Sequence, residues 1–135
     1  MTPETALVTA AAIHFGFQTT VTALVYPALS RVPAEQWASA HRAHSRGITP
    51  VVAVVYGALA LTGVWSLFSG PGGWTLAALA AVGLTVLVTA AIAAPAHGRL
   101  ANGRDEQELN RLLAADRIRA SGATLALVAA AIAAP

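Results

Sequence analysis

The sequence predicts an all-α fold: an integral membrane four-helix bundle built as two helical hairpins. Three observations carry that prediction. Four apolar stretches run along the chain, at roughly Thr5–Leu29, Ile48–Phe68, Trp74–Ala94 and Ala120–Pro135. Charged residues make up 10% of the 135, against about 25% in a soluble domain, and the mean hydropathy is +0.64. All eight basic residues are arginines, and all lie in two connections, Ser30–Gly47 and Ala96–Arg119.

The first stretch has the ~20 residues a bilayer core requires. It carries Glu4 and no basic flank, so it is expected to be a span rather than a secretion signal. His14, Gln18 and Thr22 follow one another at four-residue spacing, which puts them on one helix face, and Tyr26 lies further along. Imidazole and amide groups in an apolar medium cost several kcal/mol when unpaired, so this stripe should face the bundle. Thr62, Thr85, Thr89 and Tyr56 are the partners expected across the interior.

In the first connection, Pro33 and Glu35 mark a helix start. Trp37, His41 and His44 then share a face. Gly47 and Pro50 are expected to break or kink the path into the second span. The connection SGPGG (69–73) is uncharged and separates the second and third stretches. Trp65, Phe68 and Trp74 would form an aromatic belt at that end of the bundle, and Trp37 would sit at the opposite one. In the third stretch Ala77, Ala81, Thr85, Thr89 and Ala93 recur every fourth residue. In the fourth, Gly122, Ala126, Ala130 and Ala134 do the same. Such stripes permit close helix approach and self-association, so a homo-oligomer is one possible partner state.

The second connection offers Asn102 as a helix cap, with Asp105 three residues on. An apolar face follows at Leu109, Leu112, Leu113 and Asp116. The fourth stretch, about 16 residues or ~24 Å, is too short to span alone. Its helix must therefore begin inside the charged connection, and Ser121–Gly122 could bend it. Asp116 and Arg119 are three apart and suit a buried ion pair, with Arg31 or Arg99 nearby.

A single domain covers residues 1–135. Within it PALSRV (Pro27–Val32) resembles PAHGRL (Pro95–Leu100), 68 residues apart, which suggests an internal duplication into parallel repeats. The arginine asymmetry predicts a multi-pass protein of the cytoplasmic (inner) membrane with both connections inside and both termini outside. It also accounts for the high pI without nucleic-acid binding, since the net charge is only +2.

Composition narrows the chemistry. With no cysteine, disulfide frameworks, thiolate metal sites and iron–sulfur clusters are excluded. His41 and His44 form an HxxH pair that, with His97, could supply three metal ligands, although no carboxylate completes a familiar set. A haem would need a second core histidine beside His14. His14 and Gln18 either join helices by hydrogen bonds or line a pocket for a lipophilic small molecule.

GFQTTVTALVYPAL, a histidine-bearing helix, and PAHGRLANGRDEQELNRLLAADRIRA before a last helix together resemble small four-helix bacterial membrane proteins related to the anthrone oxygenase-like family. Gly16, Tyr26, Pro27, His41, Pro95, His97, Leu100, Gly103 and Arg119 carry the likeness. Asp116 and Ala120 depart from it, where an asparagine and a threonine are expected. The resemblance implies a monooxygenase of secondary metabolism that oxidises phenolic anthrones to quinones without an obvious cofactor. The candidate catalytic set is then His14, Gln18, Tyr26, His41 and His97, with His44, Asp116, Arg119, Arg31 and Arg99 toward the substrate. Isomerisation or cyclisation of an isoprenoid-type metabolite is the neighbouring chemistry. A small-solute transporter subunit and a non-catalytic assembly protein are the competing classes.

Overall fold

Thr2 opens the first helix. Its hydroxyl accepts the Thr5 N–H at 3.2 Å, and Pro3 stands where a helix has no use for a donor. The computed structural model, which describes all 135 residues, contains four helices and no strand. We label them α1 (Pro3–Ser30), α2 (Ala34–Phe68), α3 (Gly73–Leu100) and α4 (Glu106–Ala133). The first three are long and apolar enough to cross a membrane. α4 starts within the charged connection, as its short apolar stretch requires, and its 28 residues reach about 42 Å.

Outward faces are apolar. Leu24, Val54, Leu61, Leu87 and Leu125 are all exposed, a distribution that suits a lipid surround better than water. Inside, α4 packs along α3 and α1, and α1 packs along α2, while α2 barely meets α3. The order around the bundle is therefore α2–α1–α4–α3, with α1 and α4 central. Both chain termini and the α2–α3 connection share one end, the glycine end. The α1–α2 and α3–α4 connections share the other, the arginine end.

The two halves are filled differently. Toward the glycine end the core is Leu7, Ala11, Ala78, Ala129 and Ala130, followed by Ala10, Leu59, Val82 and Ala126. A Cβ built on Gly122 would stand 2.6 Å from Thr85 Cγ2, so α3 and α4 touch closely there. Of the predicted stripe on α4, Gly122, Ala126 and Ala130 are buried and Ala134 lies beyond the helix; of that on α3, Thr85 and Ala93 are buried, Ala81 and Thr89 are half-buried, and Ala77 faces out. Toward the arginine end the core takes larger side chains, with Trp37, Leu100, Leu109 and Leu112 almost fully enclosed.

Two local expectations are corrected, the cap of α4 and the place of Trp37, and at two other positions the helix carries no break. α2 runs unbroken through Gly47 and Pro50. Pro50 and Arg46 are exposed, so the carbonyl that loses its partner opens outward rather than into the core. Asp105, not Asn102, caps α4, its carboxylate accepting the Glu108 N–H at 2.9 Å. α4 is continuous through Ser121–Gly122. Trp37 is no belt residue: it is buried, and its indole N–H donates to the Leu100 carbonyl at 2.8 Å.

α1 and α3 each contain one wide π turn, over Val21–Val25 and Thr89–Ala93. The Tyr26 N–H bonds Val21 O and the Ala94 N–H bonds Thr89 O, five residues back instead of four. Pro27 and Pro95 follow directly. A proline ring collides with the carbonyl four residues before it, and widening the turn relieves that collision. The two π turns and the two prolines are both separated by 68 residues, the spacing of the sequence repeat, so the repeat reappears in the backbone.

Candidate functional site

The π turn of α1 decides where Tyr26 points. At 3.6 residues per turn Tyr26 would stand about 80° around the helix from Gln18. The extra residue of the wide turn sets it back by about 100°, onto nearly the same face. Both side chains are buried. α4 presents Asp116 and Arg119 to that face, α3 presents His97, and α2 presents His41.

These six side chains form one hydrogen-bonded chain drawn from all four helices. Gln18 Nε2 donates to Asp116 Oδ1 at 2.6 Å. Arg119 Nη2 donates to the same oxygen at 3.2 Å and to the Tyr26 hydroxyl at 3.1 Å. The Tyr26 hydroxyl lies 3.2 Å from His97 Nε2, and His97 Nδ1 lies 3.2 Å from His41 Nε2. His41 stacks on Trp37 with ring centroids 5.4 Å apart, and His44 stacks on His97 at 5.6 Å. The Asp116–Arg119 ion pair is nearly sealed, its side chains 3% and 8% exposed. A charge so enclosed has to be paired, and two neutral groups complete the shell, Gln18 as donor to Asp116 and Tyr26 as acceptor from Arg119.

His14 stands apart from this chain. It is fully buried, one turn before Gln18, and neither ring nitrogen has a partner. Its ring meets Tyr56 edge-on at 5.4 Å. The expected partners are engaged elsewhere: Tyr56 OH bonds Thr89 Oγ1 at 2.8 Å, while the Thr62 and Thr85 hydroxyls bond carbonyls of their own helices. Arg119 Nε and His44 Nε2 are the other orphans of this region. Buried polar atoms are rarely left so, which makes the space around His14 and Arg119 the least satisfied part of the interior.

Two residues assigned to the substrate are not brought here. Arg31 is exposed in the α1–α2 connection. Arg99 pairs with Glu108 at 2.8 Å, and Arg111 holds the other oxygen of that carboxylate at 2.7 Å. His41, His44 and His97 do gather, but as a hydrogen-bonded pair and a stack, and no three His, Asp or Glu side chains are arranged to hold a metal ion. An imidazole pair that shares a proton has spent the lone pair a metal would need.

The pocket expected around His14 and Gln18 is also absent: neither lines any of the three hollows. One hollow does reach the polar chain. A cleft of about 250 Å³ between α1 and α4 is lined by Thr22, Pro27, Ser30, Leu113, Asp116 and Arg117. It opens on the flank of the bundle and brings the Asp116 carboxylate to its wall.

Sequence reasoning missed the fastening of the arginine end. Arg104 Nη1 donates to the carbonyls of Ser30 and Val32, Arg104 Nε bonds Glu106, and the guanidinium lies 5.5 Å over the Trp37 ring. Arg104 thereby ties the two connections together. A glycine and an asparagine just before it announced a turn, but nothing local announced what the turn would reach. No family model, curated protein or solved structure matches the chain.

Proposed function

We propose that this chain is a membrane-embedded enzyme that takes a proton from a lipophilic aromatic or isoprenoid-type small molecule, with oxygenation of an anthrone-like methylene as the first reaction. The observation that carries the reading is His14: a fully buried imidazole with both ring nitrogens free, beside a buried arginine with one N–H also free. A neutral imidazole in a dry interior is a base without a proton donor. An arginine beside it can stabilise the enolate oxygen that deprotonation creates. The α1–α4 cleft, whose walls carry Thr22, Ser30, Asp116 and Arg117, supports lateral approach of a molecule that bears polar substituents such as phenolic hydroxyls.

The reaction balances without a further reductant. The methylene loses two hydrogens and gains an oxygen atom, and dioxygen supplies that atom and leaves its other as water. The membrane setting we assign is the cytoplasmic membrane. The arginines gather toward the end that bears the α1–α2 and α3–α4 connections, which the positive-inside rule places in the cytoplasm with both termini outside.

The test uses purified protein in lipid nanodiscs with anthrone as probe, following oxygen uptake and quinone formation. Turnover by the wild type and a fall of about 100-fold or more in His14→Ala, with an unchanged melting profile, is the expected result. Wild-type turnover that persists in His14→Ala rejects the base assignment. A second reading, a binding or assembly protein, has its own support: Trp37, His41, His97 and Tyr26 satisfy one another with no ligand needed. Copurification of a stoichiometric partner would favour it.

A further inference from the structure

We propose that Tyr26, His97 and His41 form a proton relay that runs across the bundle from α1 through α3 to α2. Its direction follows from donor chemistry. A guanidinium only donates, so in the 3.1 Å contact with Arg119 the Tyr26 oxygen is the acceptor. The Tyr26 proton must then go elsewhere, and the one acceptor in reach is His97 Nε2 at 3.2 Å. If His97 Nε2 carried the proton instead, the Tyr26 hydroxyl hydrogen would be buried with no acceptor, which leaves its desolvation uncompensated. With Nε2 accepting, a neutral His97 carries its proton on Nδ1 and donates it to His41 Nε2 at 3.2 Å. His41 in turn carries its proton on Nδ1, which has no protein partner and is not among the polar atoms sealed from the surface.

Every member thus holds its proton on the side away from Arg119, toward His41 and its Nδ1. One concerted shift moves a charge across the array. The Tyr26 O–H bond breaks as His97 Nε2–H forms, and His97 Nδ1–H breaks as His41 Nε2–H forms. The products are a Tyr26 phenolate facing Arg119, a neutral His97 of the opposite tautomer, and a His41 imidazolium at the outlet. The π turn of α1 sets this up, since it brings Tyr26 onto the face that meets α4.

The use of the relay rests on the function proposed above. A methylene gives up two protons, and His14 holds one at a time. The Tyr26 phenolate accepts the second, and the relay returns it when reduced oxygen leaves as water.

The relay's geometry can be read without any substrate. In ¹⁵N spectra of histidine-labelled protein at neutral pH in nanodiscs, assigned with His97→Gln and His41→Gln, His97 is expected as the neutral Nδ1–H tautomer. Finding His97 with its proton on Nε2 overturns the relay, whatever the enzyme does. The catalytic arm uses anthrone. Tyr26→Phe is expected to lower turnover by about 100-fold while His97 remains folded in place by its stack on His44. Undiminished turnover in Tyr26→Phe removes the relay from the reaction. The Nδ1–H tautomer in a wild type that leaves anthrone untouched would sink the proposed function alone and leave the relay standing.

Discussion

The two ends of this bundle are held together by different physics. Toward the glycine end, α1, α3 and α4 meet through alanines, one glycine and a threonine, and the contacts are interchangeable in kind. Toward the arginine end, a core of larger apolar side chains is joined by donor-to-acceptor contacts, each between two particular atoms, from Gln18 to His41. Small-residue packing supplies closeness and tolerates substitution by anything equally small. A closed polar chain supplies orientation and tolerates almost nothing, because each deletion strands a partner away from water. The boundary between the regimes falls at His14, the one polar side chain that belongs to neither.

The largest effect is expected where the comparison is sharpest. Asp116→Ala leaves Arg119 charged, buried and held by the Tyr26 hydroxyl alone, and strands Gln18 as well. Breaking one side of a buried ion pair costs about 3–5 kcal/mol. Unfolding of the variant in mixed micelles, followed by helical circular dichroism, should show a loss of that size. A loss below ~1 kcal/mol would mean that the polar end is no more exacting than the packed one.

The boundary itself gives the next effect, and with opposite signs one turn apart. Gln18→Leu removes the donor to Asp116 and should destabilise by about 1–3 kcal/mol. His14→Leu removes a buried group that has no partner to strand, so the same bookkeeping runs in reverse and the variant should be as stable as the parent or more so. It should also be inactive, the usual trade between a poised site and a stable core. If His14→Leu unfolds more easily, the imidazole is satisfied in the resting protein and the boundary lies elsewhere.

How much of this was legible in the sequence follows the same division. The helices and their order were, because apolar length is a property of single segments. Burial of His14 and Gln18 was too, since a spacing of four fixes a shared face and lipid forbids the alternative. The Trp37–His41–His44 face also stands, though Trp37 packs inward where an interfacial site was expected. Partnerships were not legible. Gln18 finds Asp116 across 98 residues and Tyr26 finds His97 across 71, and no local pattern encodes either. The π turns were hidden for another reason: a proline within a helix announces distortion, but this bundle uses two remedies. At Pro50 the exposed side absorbed it within an unbroken helix, whereas at Pro27 and Pro95 the preceding turn widened. Arg99 was misplaced because a guanidinium on a long stem reaches whichever carboxylate is nearest, and Glu108 lay closer than the site.

The smallest effects test the packed end by a single methyl group. In Gly122→Ala the new Cβ meets Thr85 Cγ2 at 2.6 Å and the Ala81 carbonyl at 3.4 Å. Thr85 is fully buried and its hydroxyl is committed to the Val82 carbonyl, so it has little room to turn away. α3 and α4 would have to separate, at about 1–3 kcal/mol for overpacking. Gly63→Ala should cost less, because its obstacle at 3.1 Å is the Leu79 Cδ2 methyl, the far end of a flexible side chain. Gly83→Ala meets nothing within 4 Å and lies on the outward face of α3, so alanine's helix preference should stabilise it by about 0.5–1 kcal/mol. Melting temperatures of the three variants in one lipid system, ranked Gly83→Ala above Gly63→Ala above Gly122→Ala, would show that closeness at Gly122 holds this half together. The reverse ranking of the first and last would mean that the seam between α3 and α4 yields freely, and that the polar chain alone fixes how the helices stand.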